Sequence, residues 1–568
     1  MSELTDYLAD VAQRQQQSWP KDLDREVSYP LGEIPLTAHV THWAKSTPDA
    51  PSVIYYGRAI SWAELDAQSN RFARLLGARG IEKGDRVAVF LPNCPQFHIA
   101  FFGILKAGAV HVPVSPLSTP DELAYVLRDT GARMLVLLDT LLPVAETATK
   151  EVSVDEIFST ALAEMLPETP AIHLPASVAT DPLPCPGTTA FLPALAEQSA
   201  DPVDLGDLDS PAALNYTGGT TGMPKGCIHT QRDMVFTGAS NWSVSTGRAT
   251  GVSLSFFPEF WIAGENAALV MPPMTGDAVV LMTRWDPLGV LQAIERYHVT
   301  TTAMIVDGAV ELMNRTDFGD FDLSSLTRVR VVSFVKKLDT DIRKRWFDLT
   351  GTILAEAAWG MTETHTSNTF TTGMQDDDFD LKQQPVFVGL PVPETEFVIR
   401  DFDTGAIMPL GKEGEITVRT PALLKGYWGK PDATAEAIRD RFLHTGDIGV
   451  LDEMGYLHYL GRRKEMLKVR GMSVFPAEIE AVLGKHPDIQ GSGVVGRTDA
   501  HAGQIPVAFI QPVKPGLDAT ALSRWLSGRL SKYKIPEIRI VDALPMTATG
   551  KVRKAELQTW VEDKDETA

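Results

Sequence analysis

The 568-residue chain is too long for one hydrophobic core, and at about one domain per ~150 residues it holds roughly three to four folding units. Its 52 Lys and Arg against 73 Asp and Glu leave a net charge of −21, which repels phosphodiester backbones and anionic lipid surfaces and so excludes nucleic acid and membrane as partners. The acidic start MSELTDYLADVAQ lacks the basic and apolar blocks of a secretory signal, no apolar run is long enough to span a bilayer, and Cys94, Cys185 and Cys227 lack metal-type spacing, all of which fits a reduced cytoplasmic setting.

In chain order, the first clear element is a helix over 61–77, with Trp62, Leu65, Phe72 and Leu76 at helical spacing and Ser61 with Glu64 as a capping box. RVAVFLP (86–92) reads as a strand, FHIAFFGILKAG as a helix, AVHVPVSP as a strand, the stretch from Pro120 as a helix and RMLVLLD as a strand. Apolar strands alternating with helices signify crossover units and parallel sheets covered on both faces. Residues 167–209 are rich in proline, alanine and acids with little periodicity, and read as a long surface connection.

Next comes YTGGTTGMPKG at 216–226. Its glycines permit positive φ and let amides converge on a small anion, its threonines add hydroxyls, and its lysine adds charge, so it reads as a nucleotide loop. Pro224 before Lys225 and Gly226 after it exclude the Walker pattern. Strand and helix then alternate again through DAVVLM, a helix near 287–298, VTTTAMIV and TRVRVVSF. Composition shifts at Gly461: GYLHYLG is a hairpin strand, RRKEMLK is polar and basic, and PAEIEAVLGKHP opens a helix with Pro476 in its first turn. The last hundred or so residues form a separate small domain.

The loop resembles the signature of the adenylate-forming enzymes (acyl-CoA synthetases, adenylation domains of peptide synthetases, firefly luciferase), with Gly218 where serine is commoner. WGMTET (359–364), GEITV with KGY (414–427), HTGD (444–447), GRRKEMLKVRGMSVFPAEIE (461–480) and PMTATGKVRK (545–554) resemble that family's later motifs, in its order. The resemblance implies an α/β fold: a large N-terminal domain (1–461) of parallel-rich sheets sandwiched by helices, with a small β-barrel-like subdomain, and a mobile α+β lid (462–568) hinged near Lys464. It implies that a carboxylic acid is joined to AMP with loss of diphosphate, then passed to CoA as a thioester, with ATP and Mg²⁺ required.

By the same resemblance Thr217, Gly218, Gly219, Thr220, Thr221, Gly222 and Lys225 cradle the phosphates, Glu363 and Thr221 hold Mg²⁺, and Thr362 contacts the α-phosphate. Trp359 with Gly360 meets adenine, Asp447 accepts the ribose diol and Arg462 reaches ribose or phosphate. Lys551 bridges carboxylate and α-phosphate in the first half-reaction; Lys468 serves the second, beside a pantetheine passage at Arg470 and Gly471.

Two places depart from the family pattern. SFVKKL (333–338) replaces a glycine-rich segment, leaving Lys336 either solvated or paired with an acidic substrate tail. Trp261, with Gly264 in the acyl pocket, either gates the pocket or is core. The lining FFPEFWIAGENAALVMPP favours an apolar acid, a fatty acid first and an aryl or arylalkanoic acid second, with no buried polar partner for a hydrophilic acid evident in it. His229, His365 and His444 are structural or substrate-contact residues, because a carboxylate needs no general base at neutral pH. Loading a separate carrier protein and forming an amide are alternatives that share the adenylate; a non-catalytic ATP sensor has no need to keep Lys225, Glu363, Asp447 and Lys551 together. Homodimer formation stays open.

Overall fold

The computed structural model describes residues 3–217, 223–245, 251–334, 336–356, 359–383, 386–470, 472–499, 501–547 and 550–565. Gly218, Gly219, Thr220, Thr221, Gly222 and Gly471 therefore lie outside the described residues.

Two seven-stranded sheets carry the large domain. One runs in the order Thr189–Ala190, Glu156–Thr160, Met134–Leu138, Arg86–Phe90, Val110–Pro113, Pro211–Tyr216, Gly226–Thr230, parallel until its last, antiparallel pair. The other runs Leu354–Glu356, Arg328–Val332, Thr301–Ile305, Val252–Ser255, Ala278–Leu281, Pro51–Tyr55, Arg58–Ser61, also parallel except for the closing hairpin. Their strands are short apolar runs, and one hydrophobic core is continuous between the two sheets.

The helix Pro95–Lys106 is buried along its whole length, and its apolar sequence leaves it no polar face to expose. It crosses the helix Trp62–Ala78 closely enough that a Cβ on Gly103 would stand 2.8 Å from the Cβ of Phe72, so this contact requires glycine. Lys106, at the end of that helix, is buried, and its ammonium donates to Asp66 Oδ1 (2.7 Å) and Asn70 Oδ1 (2.8 Å). At Ser61 half of the expected capping box forms. Its hydroxyl accepts from the Glu64 amide at 3.1 Å, while the Glu64 carboxylate pairs with Arg58 at 3.0 Å instead.

A third sheet is antiparallel, ordered Thr369–Phe370, Val386–Pro391, Leu457–Arg462, Phe442–Leu451, Gly414–Arg419, Glu396–Arg400; this is the form the β-barrel-like subdomain takes. The C-terminal domain has its own sheet, Met472–Val474, Leu467–Val469, Gly503–Pro512, Ile489–Asp499, with Glu537–Ile540 alongside, and its own apolar core under the helices Pro476–Leu483 and Ala519–Ser527. Pro476 opens its helix as expected. No helix among the described residues is long and apolar enough to cross a membrane.

Residues 167–209 correct the expectation of a plain surface connection. They contain the strand Thr189–Ala190 and the helix Phe191–Ala196, and Phe191 is wholly buried against Phe72, ring centroids 5.0 Å apart. Phe72 is over a hundred residues away in sequence, where local periodicity has no reach. Phe191→Ala is expected to cost about 3–5 kcal/mol in urea unfolding, whereas Leu183→Ala, 52% exposed in the same segment, should cost under about 0.5 kcal/mol; equal effects would show that the segment is not packed.

Candidate active site

The strands Pro211–Tyr216 and Gly226–Thr230 hold the nucleotide loop at its neck, where the Thr217 amide donates to the Lys225 carbonyl at 3.0 Å and the Lys225 amide to the Thr217 hydroxyl at 3.3 Å. Tyr125 clamps the Pro224 carbonyl at 2.7 Å. Lys225 Nζ stands 4.1 Å from the centre of the Tyr427 ring, and the Tyr427 hydroxyl donates to Glu363 Oε1 at 3.0 Å. Tyr427, noticed in the sequence only as part of KGY, is thus the element that sets the loop lysine and the motif glutamate beside each other. The tip of the loop falls outside the described residues.

Thr362 and Glu363 lie on a short 3₁₀ turn, Thr362–Thr364. Behind it, His229 Nε2 donates to the Thr362 carbonyl at 2.8 Å, which fixes which ring nitrogen carries hydrogen. Gly360 has no space for a side chain, since its Cβ would be 2.3 Å from the Ser367 amide. Carboxylate and hydroxyl oxygens are hard donors suited to Mg²⁺, and Glu363 keeps a second oxygen beyond its bond to Tyr427. Among the described residues no group of three or more His, Cys, Asp or Glu side chains is arranged to hold a metal alone, so an ion bound here would need further ligands besides Glu363.

Asp447 is 3% exposed on the strand Phe442–Leu451. The Trp359 indole N–H donates to its Oδ2 at 3.0 Å, and Arg462 Nε lies 2.7 Å from its Oδ1 without pointing a hydrogen at it, so Oδ1 keeps unmet hydrogen-bonding capacity. Burial lifts the Asp447 carboxyl to about 6, against the opposing pull of Arg462 and the indole. Trp359 packs edge-on against Phe397, centroids 5.5 Å apart. The structure thus places Trp359 as the residue that orients Asp447.

Lys551 arrives from the C-terminal domain. Its side chain is exposed and its ammonium lies 5.4 Å from the centre of the Phe334 ring; the protein packed around it and the like charge of Arg462 hold its pKa below the usual lysine value, with Asp447 and Glu465 opposing. Phe334 belongs to the divergent SFVKKL segment, and Lys337 donates to the carbonyls of Ser333 (2.8 Å) and Phe334 (3.3 Å), bracing it. Ser333 is in turn held by Glu356, whose carboxyl burial pushes up to about 7. Lys336 places its ammonium 3.5 Å from the Ile489 carbonyl of the C-terminal domain. The geometry thus replaces both expectations for Lys336: it faces the lid.

Lys468 is exposed on a hairpin, 3.0 Å from the Ser473 hydroxyl, and Arg470 is exposed beside it with φ 52°. In this arrangement neither joins the cluster around Asp447, whose charged neighbours are Arg462, Glu363 and Glu465. Lys464 sits in the 3₁₀ turn Arg463–Glu465 between the domains, whose Glu465 pairs with Lys554 at 2.8 Å.

Trp261 is half-buried, its ring 6.0 Å from Phe257 and 6.1 Å from Phe334. Its loop is tied down by Glu259, which accepts from His98 at 2.6 Å and through its amide bonds Asn93 at 2.9 Å. Gly264 was expected in the acyl pocket. The reason for glycine there is packing: its Cβ direction is filled by the Pro258 carbonyl, 2.0 Å away.

The family model described as "AMP-binding enzyme" matches residues 40–428, and that of the "AMP-binding enzyme C-terminal domain" matches 478–551. A long-chain-fatty-acid–CoA ligase of Bacillus subtilis is 30% identical over 95% of this chain and 96% of its own length, and 4-coumarate–CoA ligase 2 of Oryza sativa is 31% identical over 92% of each. Among solved structures, the anthranilate CoA ligase AuaEII in complex with anthranoyl-AMP is similar at a TM-score of 0.81 and 25% identity, covering 94% of this chain and 98% of that one.

A carboxyl that is neutral below about pH 6 accepts a diol poorly, so nucleotide affinity should fall as pH drops through that value. Trp359→Phe removes a donor that favours the charged form and should move this acid limb to higher pH; a limb that stays in place in a pH titration of ATP binding would show that the indole bond does not tune Asp447.

Proposed function

Because the chain belongs to the AMP-binding enzyme family and is an AMP-forming acid–CoA ligase working with ATP, Mg²⁺ and CoA, we propose the following residue roles and acid class. The observation that supports them is that Lys551 of the C-terminal domain lies near enough to Asp447 and Arg462, register partners on neighbouring strands, for their charges to act on it.

In the first half-reaction a carboxylate attacks the α-phosphate of ATP and diphosphate leaves. Asp447 accepts the ribose hydroxyls, Arg462 reaches ribose or phosphate, and Lys225 with the 217–222 loop offsets charge on the departing diphosphate. Thr362 contacts the α-phosphate, and Glu363 would hold Mg²⁺, which neutralises phosphate charge when bound. Lys551 joins the incoming carboxylate and the α-phosphate, so its charge meets the transition state more closely than the ground state. In the second half-reaction the lid turns about Lys464, Lys551 leaves, and the hairpin bearing Lys468, Arg470 and Gly471 takes its place, guiding the CoA thiol to the acyl carbon.

The acid has an apolar skeleton, a fatty acid first and an aryl or arylalkanoic acid second. The aromatic run from Phe334 through Trp261 to Phe257 supports this, as do the names of the fatty-acid and coumarate ligases that the chain resembles. The reaction is assigned to the cytoplasm, supported by three unpaired cysteines.

Lys551→Ala is expected to slow diphosphate release by on the order of 10²–10³ while still converting supplied acyl-adenylate to thioester. Lys468→Ala should do the reverse. Equal losses in both half-reactions for either variant, followed separately by rapid quench, would refute the division of labour.

A further inference from the structure

Three side chains of the divergent segment 333–338 meet three separate parts of the C-terminal domain. Phe334 lies against the Lys551 ammonium, and its Cδ2 is 3.7 Å from where a Cβ on Gly550 would stand. Lys336 reaches the carbonyl of Ile489, the first residue of the strand Ile489–Asp499. Lys337 lays its stem against Gly484, which directly follows the helix Pro476–Leu483. Side chains thus fill the domain boundary where a glycine-rich segment would leave space.

Gly484 carries the most information. Its backbone, at φ −63° and ψ −17°, is ordinary right-handed helix that any residue adopts, so nothing in its own conformation asks for glycine. A Cβ there would nevertheless stand 2.7 Å from Lys337 Cγ and 3.2 Å from Lys337 Cβ, whereas the Glu480 carbonyl of its own helix would be 3.3 Å away. The crowding atoms are the near end of the lysine side chain. They cannot swing aside without moving the segment, because the ammonium at the far end donates to the Ser333 and Phe334 carbonyls. The need for glycine at 484 therefore comes from the other domain, and it exists only while the two domains stand in this arrangement. Electrostatics act across the same contact: burial pulls the Lys337 pKa down, and the Glu480 carboxylate on the C-terminal helix is the strongest opposing charge, ahead of Glu356.

We propose that Lys337 and Gly484 are positioning residues for the first half-reaction: the lysine stem closes on the bare glycine backbone, and this contact holds the lid where Lys551 faces Phe334. The contact opens before the hairpin bearing Lys468 replaces Lys551, so its strength sets how the enzyme divides its time between the two poses. The proposal rests on the ligase reading and names the residues that balance its two half-reactions.

Gly484→Ala tests this at little cost to folding, since alanine suits the backbone there. With ATP, Mg²⁺ and the fatty or aryl acid that wild type activates fastest, diphosphate release in a single turnover should slow by about 10- to 100-fold, the effect of an overpacked contact. Thioester formation from supplied acyl-adenylate and CoA should be unchanged or faster, and adding Lys337→Ala should restore part of the lost rate. A trap reads the pose directly. The pair Lys337→Cys, Gly484→Cys brings two Cβ atoms close to the ~3.8 Å of a disulfide, and after mild oxidation it should release diphosphate yet make no thioester until reductant is added. Equal slowing of both half-reactions by Gly484→Ala, slowing of neither, or a cysteine pair that fails to cross-link or still makes thioester when oxidised overturns this proposal and leaves the ligase reading intact. Wild type that releases no diphosphate with any fatty or aryl acid removes both.

Discussion

The contact on which the site depends sets the Lys551 ammonium of the small domain against the Phe334 ring of the large one. The large domain prepares the floor: Phe334 lies 5.4 Å from the Lys551 ammonium, and Lys337 and Glu356 fix the segment that carries it. The small domain prepares the approach. Gly550, at φ 80°, turns the chain just before Lys551, and Lys554 ties that segment to Glu465 (2.8 Å) and Glu480 (3.1 Å). Because Glu465 belongs to the turn between the domains, a rotation there carries the Lys551 segment with it.

The site gathers cations inside an acidic protein. A net charge of −21 would repel a nucleotide at long range, yet screening confines that field to about 8 Å at physiological salt, and inside the site the cations Lys225, Arg462 and Lys551 stand among the acids Asp447, Glu363 and Glu465. Each cation has a local partner that keeps it placed: an aromatic face for Lys225 and Lys551, and the Asp447 carboxylate for Arg462. Asp447 itself is raised by burial to about 6 and Glu356 to about 7, so two buried carboxyls of the site respond to mild acid.

Sequence reading reached the parts of the site that lie in contiguous strings. Thr362, Glu363, Asp447, Arg462 and Lys551 each sit in a short motif whose chemistry is local, and the alternation of strand and helix between Arg86 and Leu138 follows from side-chain period alone. It did not reach arrangements made by distant elements. The anchoring of Phe191 by Phe72, the bracing of Phe334 by Lys337, and the meeting of Asn215, Glu265 and His365 all depend on which elements pack together. His365 and His229 are lone histidines in sequence; only the fold sets their rings 4.9 Å apart in a buried polar layer behind Thr362. Trp359 was read by motif position alone, whereas its bond to Asp447 spans 88 residues and has no local sign.

The central claim is that this cleft joins an acid to AMP before any thiol is involved. The most direct measurement is the exchange of labelled diphosphate into ATP, with Mg²⁺ and a set of fatty and aryl acids, in the complete absence of CoA. The account predicts exchange that depends on the acid and falls sharply in Lys551→Ala. Exchange that never rises above the acid-free level with any member of the set, in protein that binds ATP, would contradict it.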